Sequence, residues 1–326
     1  MNNLLSPSAS FPLSLKMRTA FIKTLLGLAK ENPAIMLLTG DLGFTVFEEF
    51  RDTLPAQYLN AGVMEQNMVG TAAGLAMSGR IVFVYSIVPF ATFRCLEHIR
   101  NDVCYHDLPV CIVGVGGGYS YGHMGSTHHA LEDIAALRAL PNLRIVCPGD
   151  PVETRAAVRA IASSGHPAYL RLGKAGEPVL HDSSVPFTIG KSIEMRPGNG
   201  LTLIATGNML ETAVAVQKLL AEQNVTARLL SMHTVKPIDE EAIAQAARET
   251  KLIVTIEEHS RIGGLGSAVA EVLSARSCRT EHLLCAAPDA FAETVGSQQF
   301  FRTKAGLDPK AIFDRILQVR SSLPRP

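Results

Sequence analysis

Short runs of β-branched and other apolar residues alternate with longer helical patterns along most of the chain, and this alternation restricts the possible folds more than any other feature. In the first half, strands are predicted at Ala34–Thr39, Ile81–Tyr85, Val110–Val115, Arg144–Cys147 and Ala168–Leu172. Helices are predicted at Leu15–Lys30, Glu65–Met77, Phe93–Val103 and Val152–Ser163. Strands that alternate with helices form a mostly parallel sheet covered on both faces, so we expect a doubly wound α/β domain.

The pattern stops between Gly173 and Gly200, where Gly, Pro, Ser and Asp are frequent, and we place a linker at residues 176–198. It restarts with predicted strands at Leu201–Ala205, Thr226–Leu230, Leu252–Glu257 and His282–Cys285. Further helices are predicted at Leu210–Gln223, Asp239–Glu249, Gly264–Ala275 and Pro309–Val319. The predicted organisation is an N-terminal tail at 1–14, a domain at 15–175 and a smaller domain at 199–326. The predicted fold class is therefore α/β, with two doubly wound, mostly parallel sheets.

Charge and hydropathy argue against several classes of partner. The 326 residues include 30 basic and 30 acidic side chains, so the net charge does not favour nucleic acid or an anionic membrane. The N-terminus lacks the basic segment and continuous apolar core of a signal peptide. The longest apolar run, Ile81–Phe93, is interrupted by Ser86 and Pro89 and is too short to span a bilayer. We expect a soluble, cytoplasmic protein.

The segment Asn60–Ala76 contains a carboxylate in an unusual position. After a turn at Gly62, its apolar residues surround most of a predicted helix, which should therefore be buried. The single ionisable residue, Glu65, falls in the first turn, where the helix N-terminus favours a negative charge. A carboxylate carried into the interior is unfavourable unless it is paired or protonated. The pattern alone fits either a surface Glu or a functional one.

Two further segments lie after predicted strands, where parallel sheets place their ligands. The loop Gly114–Gly122 is rich in glycine and leads to Gly125–His129, whose histidines could exchange protons near neutral pH. The segment Pro89–Phe93 places two aromatic residues at an i, i+3 spacing, which suits either core packing or stacking on a planar ring.

Together and in this order, these pieces resemble the pyrimidine-binding and C-terminal domains of the transketolase family. The similarity runs from about Arg18 to the end of the chain. It is based on five segments, Asn60–Ala76, Pro89–Phe93, Gly125–His128, Thr234–Asp239 and Glu257–Gly266.

The resemblance implies thiamine diphosphate as the cofactor, bound between two domains. The family residue that matches Glu65 hydrogen-bonds the aminopyrimidine ring and activates it. Phe93, together with Phe90, corresponds to the aromatic wall against which that ring stacks. The resemblance implies no metal ligand on this chain.

For the substrate, the resemblance implies that His128 faces the reacting carbon and that Arg18 and Lys174 bind a sugar phosphate. Transketolases for ordinary ketose phosphates have an aspartate four residues before the histidine, where this chain has Met124. The family histidine for phosphate would fall at Gly116. The substrate is therefore expected to differ from common pentose-pathway sugars in oxidation, substitution or phosphorylation.

Relatives bind the diphosphate and Mg²⁺ through a Gly-Asp-Gly motif and a later Asn. Gly149-Asp150-Pro151 and Gly40-Asp41-Leu42 lack the second glycine. We therefore expect a second polypeptide, the N-terminal transketolase subunit, to carry that domain in an α2β2 assembly of two-fold symmetry.

The resulting hypothesis is the pyrimidine-binding subunit of a split transketolase that transfers a ketol unit from a sugar donor to an aldehyde acceptor. Two related enzymes remain as alternatives, the β chain of a 2-oxo-acid dehydrogenase and a 1-deoxyxylulose-5-phosphate synthase-like enzyme. A third reading, from a different class, is a non-catalytic scaffolding homologue that binds no cofactor.

Overall fold

Two mostly parallel β-sheets organise the chain, which confirms the predicted fold class. The computed structural model describes residues 16–182 and 185–322, so the predicted tail at 1–14 lies outside the described residues. The strands of the first half are β1 (Ile35–Thr39), β2 (Tyr58–Asn60), β3 (Ile81–Ile87), β4 (Val110–Val115), β5 (Arg144–Val146) and β6 (Ala168–Leu172). Those of the second half are β7 (Ile193–Arg196), β8 (Leu201–Ala205), β9 (Ala227–Ser231), β10 (Thr234–Lys236), β11 (Leu252–Ser260) and β12 (Glu281–Ala287).

The helices cover both faces of each sheet. In the first half they are α1 (Met17–Glu31), α2 (Glu48–Thr53), α3 (Glu65–Met77), α4 (Val88–Thr92), α5 (Leu96–His98), α6 (Asp133–Arg138) and α7 (Pro151–Ala162). In the second half they are α8 (Leu210–Glu222), α9 (Glu240–Glu249), α10 (Leu265–Ala275), α11 (Gln298–Lys304) and α12 (Pro309–Ser322). A π-helical segment, Ile99–Cys104, continues α5.

The first sheet has the strand order β10-β5-β6-β4-β3-β1-β2, and the second has the order β12-β11-β8-β9-β7. In β3, Val82 and Val84 pack under α3, whereas Phe83 and Tyr85 pack under α1 on the opposite face. A strand that is buried on both faces has a continuous apolar sequence, which is why the parallel strands could be predicted.

The strand β10 belongs to the first sheet although it lies far along the chain, among the elements of the second. It pairs antiparallel with β5, with Thr234 opposite Val146. The Lys236 ammonium donates to the carbonyl of Arg138 at the end of α6, at 2.8 Å. The strand β7, in turn, lies within the predicted linker 176–198 and pairs with β9.

Two predicted helices differ from the structure in more than their end residues. The helix expected at Phe93–Val103 starts earlier, at Val88, and is divided into α4, α5 and the π-helical segment. The helix α3 has the predicted bounds, but it is not buried all round, because Gln66, Asn67 and Gly74 face outward. The hydropathy of a helix does not show whether a face made of small residues is packed against the rest of the chain or exposed.

Candidate functional site

The carboxyl-terminal edge of the first sheet collects the residues singled out from the sequence. Glu65 begins α3 shortly after β2, Phe90 lies in α4 after β3, and His128 lies in the loop after β4. Lys174 follows β6, and Arg18 lies in the first turn of α1. Loops at this edge are where open α/β sheets bind ligands.

A polar turn directs Glu65 into the protein. The side-chain oxygen of Asn60 accepts hydrogen bonds from the backbone N–H groups of Asp41 (3.1 Å) and Gly62 (3.0 Å). Gly62 has φ = 74°, a conformation that L side chains rarely adopt. The turn thereby starts α3 with the Glu65 side chain directed inward, where it is 1% exposed.

Two side chains hold the Glu65 carboxylate. The Ser86 hydroxyl donates to Oε1 at 3.0 Å, and Arg94 Nη1 donates to Oε2 at 2.9 Å. The Arg94 side chain is 47% exposed, so the ion pair joins a buried carboxylate to a guanidinium at the surface. Sequence reasoning missed both partners. One available signal was Ser86 itself, a polar residue that interrupts an apolar strand at its carboxyl end.

Aromatic side chains connect Glu65 to the predicted histidine. The Arg94 guanidinium lies 5.1 Å from the centre of the Phe90 ring, and the Phe90 and His128 rings meet edge to face at 5.1 Å. The Thr127 hydroxyl lies 3.0 Å from His128 Nδ1. Phe93 directly follows α4, and its side chain is partly exposed.

The two predicted cations converge on Tyr121. Lys174 Nζ lies 4.4 Å from the centre of the Tyr121 ring, which is 6.2 Å from the His128 ring. Burial raises the pKa of the Tyr121 hydroxyl, and the nearby charge of Arg18 partly offsets this rise. Arg18 Nε is buried and has no hydrogen-bond partner among the described residues. Lys174 and Arg18, here called the cationic corner, therefore provide positive charge and an N–H donor that can bind an anionic group.

Met124 lies beside this corner with its side chain exposed. It is the last residue of the short 3₁₀ turn Gly122–Met124, and its backbone N–H donates to the Tyr121 carbonyl at 2.8 Å. Val63 and Met64, which directly precede Glu65, are also exposed. The surface beside the buried carboxylate therefore includes exposed apolar side chains as well as the Arg94 guanidinium.

His259, in the second half of the chain, has a structural role, because its ring contacts the backbone of both domains. Its Nδ1 donates to the Ser260 carbonyl at 2.8 Å, and its Nε2 accepts from the Ala135 N–H at 3.3 Å. Burial lowers its pKa to about 4, so the ring stays neutral and joins the two domains.

The described residues contain neither a metal-binding cluster nor a membrane-spanning helix. Across 16–182 and 185–322, no group of three or more His, Cys, Asp or Glu side chains is placed to hold a metal ion. Within the same ranges, no helix has the length and apolar character needed to cross a membrane.

Comparisons with known proteins identify both halves of the chain. Residues 14–176 match the family described as "Transketolase, pyrimidine binding domain", and residues 190–312 match "Transketolase, C-terminal domain".

Similar proteins include several that are described as subunits of transketolases. The chain is 42% identical, over 79% of its length and 83% of the relative's, to a subunit of the apulose-4-phosphate transketolase of Phocaeicola vulgatus. It is 35% identical to a 6-deoxy-6-sulfo-D-fructose transketolase subunit of a Clostridium species, over 91% of this chain and 92% of that one. Among solved structures, a split-gene transketolase described as an inactive β4 tetramer has a TM-score of 0.85 and 36% identity, covering 94% and 98% of the two chains.

Proposed function

Because this chain belongs to the transketolase family, with its pyrimidine-binding and C-terminal domains, we propose that it is one subunit of a split, thiamine-diphosphate-dependent transketolase. The reaction is the transfer of a ketol unit from a sugar donor to an aldehyde acceptor. The observation that carries the proposal is the continuous line of contacts from Glu65 through Phe90 and His128 to Lys174.

The chemistry of the residues around Glu65 fits the aminopyrimidine end of the cofactor. An aminopyrimidine has polar ring nitrogens on its edge and an apolar face. The Glu65 carboxylate, 1% exposed and bound by Arg94, whose guanidinium lies 5.1 Å from the Phe90 ring, together with the exposed side chain of Met64, matches both requirements. When bound, the cofactor supplies the nucleophilic carbon and the electron sink for carbon–carbon bond cleavage.

Glu65 would hold the pyrimidine end of the cofactor through its carboxyl group. The Ser86 hydroxyl and the Arg94 guanidinium fix the plane of this carboxyl group. A positioned carboxyl can hold or release a proton at the pyrimidine without reorganisation of solvent. The Phe90 ring, 5.1 Å from the Arg94 guanidinium, borders the same region.

His128 and the cationic corner bind the donor. Thr127 orients the His128 ring, which can hold a hydrogen bond to the donor carbonyl or hydroxyl. Lys174 and Arg18 neutralise an anion at the far end of the sugar. The names of two relatives include a phosphorylated and a sulfonated sugar, which supports a donor with a tetrahedral anion.

The diphosphate and Mg²⁺ would bind to a partner subunit in an α2β2 assembly. Exposed apolar side chains around Glu65, including Val63, Met64 and Phe93, support the covering of this surface by another chain. The relative described as an inactive tetramer of β chains supports a requirement for the second subunit.

The function is tested by calorimetric titration of thiamine diphosphate and Mg²⁺ into this chain, alone and mixed with the diphosphate-domain subunit. We expect tight binding only in the mixture, because each chain supplies one end of the cofactor site. Tight binding by this chain alone would contradict the shared site. An absence of binding in both titrations would contradict catalysis and favour the scaffolding role.

The replacement Met124→Asp should shift the donor preference toward ordinary ketose phosphates. A carboxylate at this exposed position can accept a hydrogen bond from a donor hydroxyl, and hydrogen bonds to charged groups are strong enough for a change on the order of tenfold. The measurement is kcat/KM for xylulose 5-phosphate relative to apulose 4-phosphate and 6-deoxy-6-sulfo-D-fructose. Met124→Leu should keep the original ranking, and the same ranking in both variants would show that residue 124 does not contact the donor.

A further inference from the structure

The loop that carries Met124 and His128, here called the substrate loop (residues 116–129), is held at its first end by the C-terminal domain. The Tyr119 N–H donates to Glu258 Oε1 at 3.0 Å, and Gln298 Nε2 donates to the Ser120 hydroxyl at 3.2 Å. At Gly118, with φ = 67°, a Cβ would lie 2.5 Å from Glu258 Cγ. The glycine therefore allows the buried Glu258 side chain to approach the loop.

A second group of contacts holds the turn that contains Met124. The segment between β12 and α11, residues 288–297, is here called the clasp. The Ser126 hydroxyl donates to the Ala292 carbonyl of the clasp at 2.6 Å. The Gly296 N–H of the clasp donates to the Gly122 carbonyl at 3.2 Å. Both bonds link residues that flank Met124 to the C-terminal domain.

Apolar side chains of both domains border this turn. A Cβ at Gly125 would lie 3.6 Å from Val295 Cγ1, so the clasp packs directly against the residue that follows Met124. Met124, Phe291 and Val295 are all largely exposed. The turn is therefore packed against the clasp at Gly125 and exposed to solvent at Met124.

On the basis of the proposed function, we propose that the clasp determines donor specificity. It holds the turn at 122–128 where Met124 and His128 meet the donor. Ser126 is the positioning residue, since its hydroxyl is the side-chain donor from this turn to the clasp. The C-terminal domain thus contributes to the choice of donor. The residues that hold Glu65, Ser86 and Arg94, belong to the first domain.

The first test is kinetic and uses Ser126→Ala in the enzyme reconstituted with its partner subunit, thiamine diphosphate and Mg²⁺. We expect KM for the preferred donor to rise about five- to tenfold, as for the loss of one hydrogen bond. The kcat and the Kd for thiamine diphosphate should change less than about twofold. The ranking of apulose 4-phosphate, 6-deoxy-6-sulfo-D-fructose and xylulose 5-phosphate should also change, because the turn is displaced relative to the donor.

Two matched variants separate positioning from general stability. Ser126→Thr keeps the hydroxyl and should restore most of the affinity for the donor. Ser163→Ala removes a hydroxyl that bonds only within its own helix end, at the Arg159 and Ala160 carbonyls, and should leave all constants unchanged. Equal losses for every donor and for the cofactor in Ser126→Ala would overturn the proposal, since a structural defect affects them alike.

The second test needs no substrate. Hydrogen exchange of the Gly125 and His128 amides, which bond within the turn to Gly122 and Gly125, should accelerate in the full-length Ser126→Ala chain and not in Ser163→Ala. Unchanged exchange would contradict the positioning of the turn by the clasp. This conclusion does not depend on which donor the enzyme uses. Faster exchange in a chain that binds no thiamine diphosphate, alone or with its partner subunit, would contradict the proposed function and leave the positioning by the clasp supported.

Discussion

Replacing Glu65 by Gln should lower the turnover of the reconstituted enzyme by about 10²- to 10⁴-fold, the range typical for the loss of a positioned acid–base group. The amide cannot exchange a proton with the pyrimidine. It can still fill the same volume, with its oxygen toward Arg94 and its nitrogen toward the Ser86 hydroxyl. The fold should therefore be preserved while the chemistry is lost.

Three measurements distinguish this result from misfolding. Circular dichroism and association with the partner subunit should match the parent chain, whereas kcat should fall. The control is Glu97→Gln, which changes an exposed carboxylate that follows Arg94 in the chain and should keep normal turnover. Normal turnover in Glu65→Gln would contradict the proposed role of this carboxylate.

Replacing Asp133 by Asn should lower the free energy of unfolding by about 3–5 kcal/mol, because it leaves a buried guanidinium without its counter-ion. Asp133 is fully buried, and its carboxylate accepts from Arg171 Nε at 2.7 Å and from the Tyr169 hydroxyl at 2.6 Å. Burial is the largest influence and raises the pKa of Asp133, but the charge of Arg171 and the hydrogen bonds from Arg171 and Tyr169, acting together with its other neighbours, hold the pKa below its usual value.

The same guanidinium joins the domains, since Arg171 Nη2 also donates to the carbonyls of Ala130 (2.7 Å) and Glu258 (3.1 Å). Urea unfolding of the isolated chain measures the effect. Asp52→Asn is the control, because it removes an equivalent carboxylate from the exposed pair with Arg51 and should leave the unfolding midpoint unchanged. Equal effects of the two replacements would show that the buried pair is not needed for stability.

The sequence predicted the elements whose signal is local. The strands Val110–Val115 and Ala168–Leu172 and the helix Glu65–Met77 have the predicted bounds. Each has a continuous apolar or helical pattern long enough to be recognised alone. The short strands β7 and β10 were missed, because three or four residues form a strand only when a distant strand is available to pair with them.

The features of the candidate site can likewise be separated into those with a local sequence signal and those that depend on distant residues. Glu65 could be proposed from its place in the first turn of an apolar helix, His128 from its position after a strand, and both from the family resemblance. The Arg94–Glu65 ion pair joins residues 29 positions apart, and the Glu258–Tyr119 hydrogen bond joins residues 139 positions apart. Contacts of this kind follow from tertiary packing, and no local motif in a single sequence predicts them.

The strand β10 limits how freely these two domains could be exchanged for others. A chain cut in the segment between them would leave β5 with an open sheet edge, and such edges recruit strands from other molecules. A foreign C-terminal domain would have to supply an antiparallel strand at the same place. The two domains are therefore expected to be inherited and recombined as a single module.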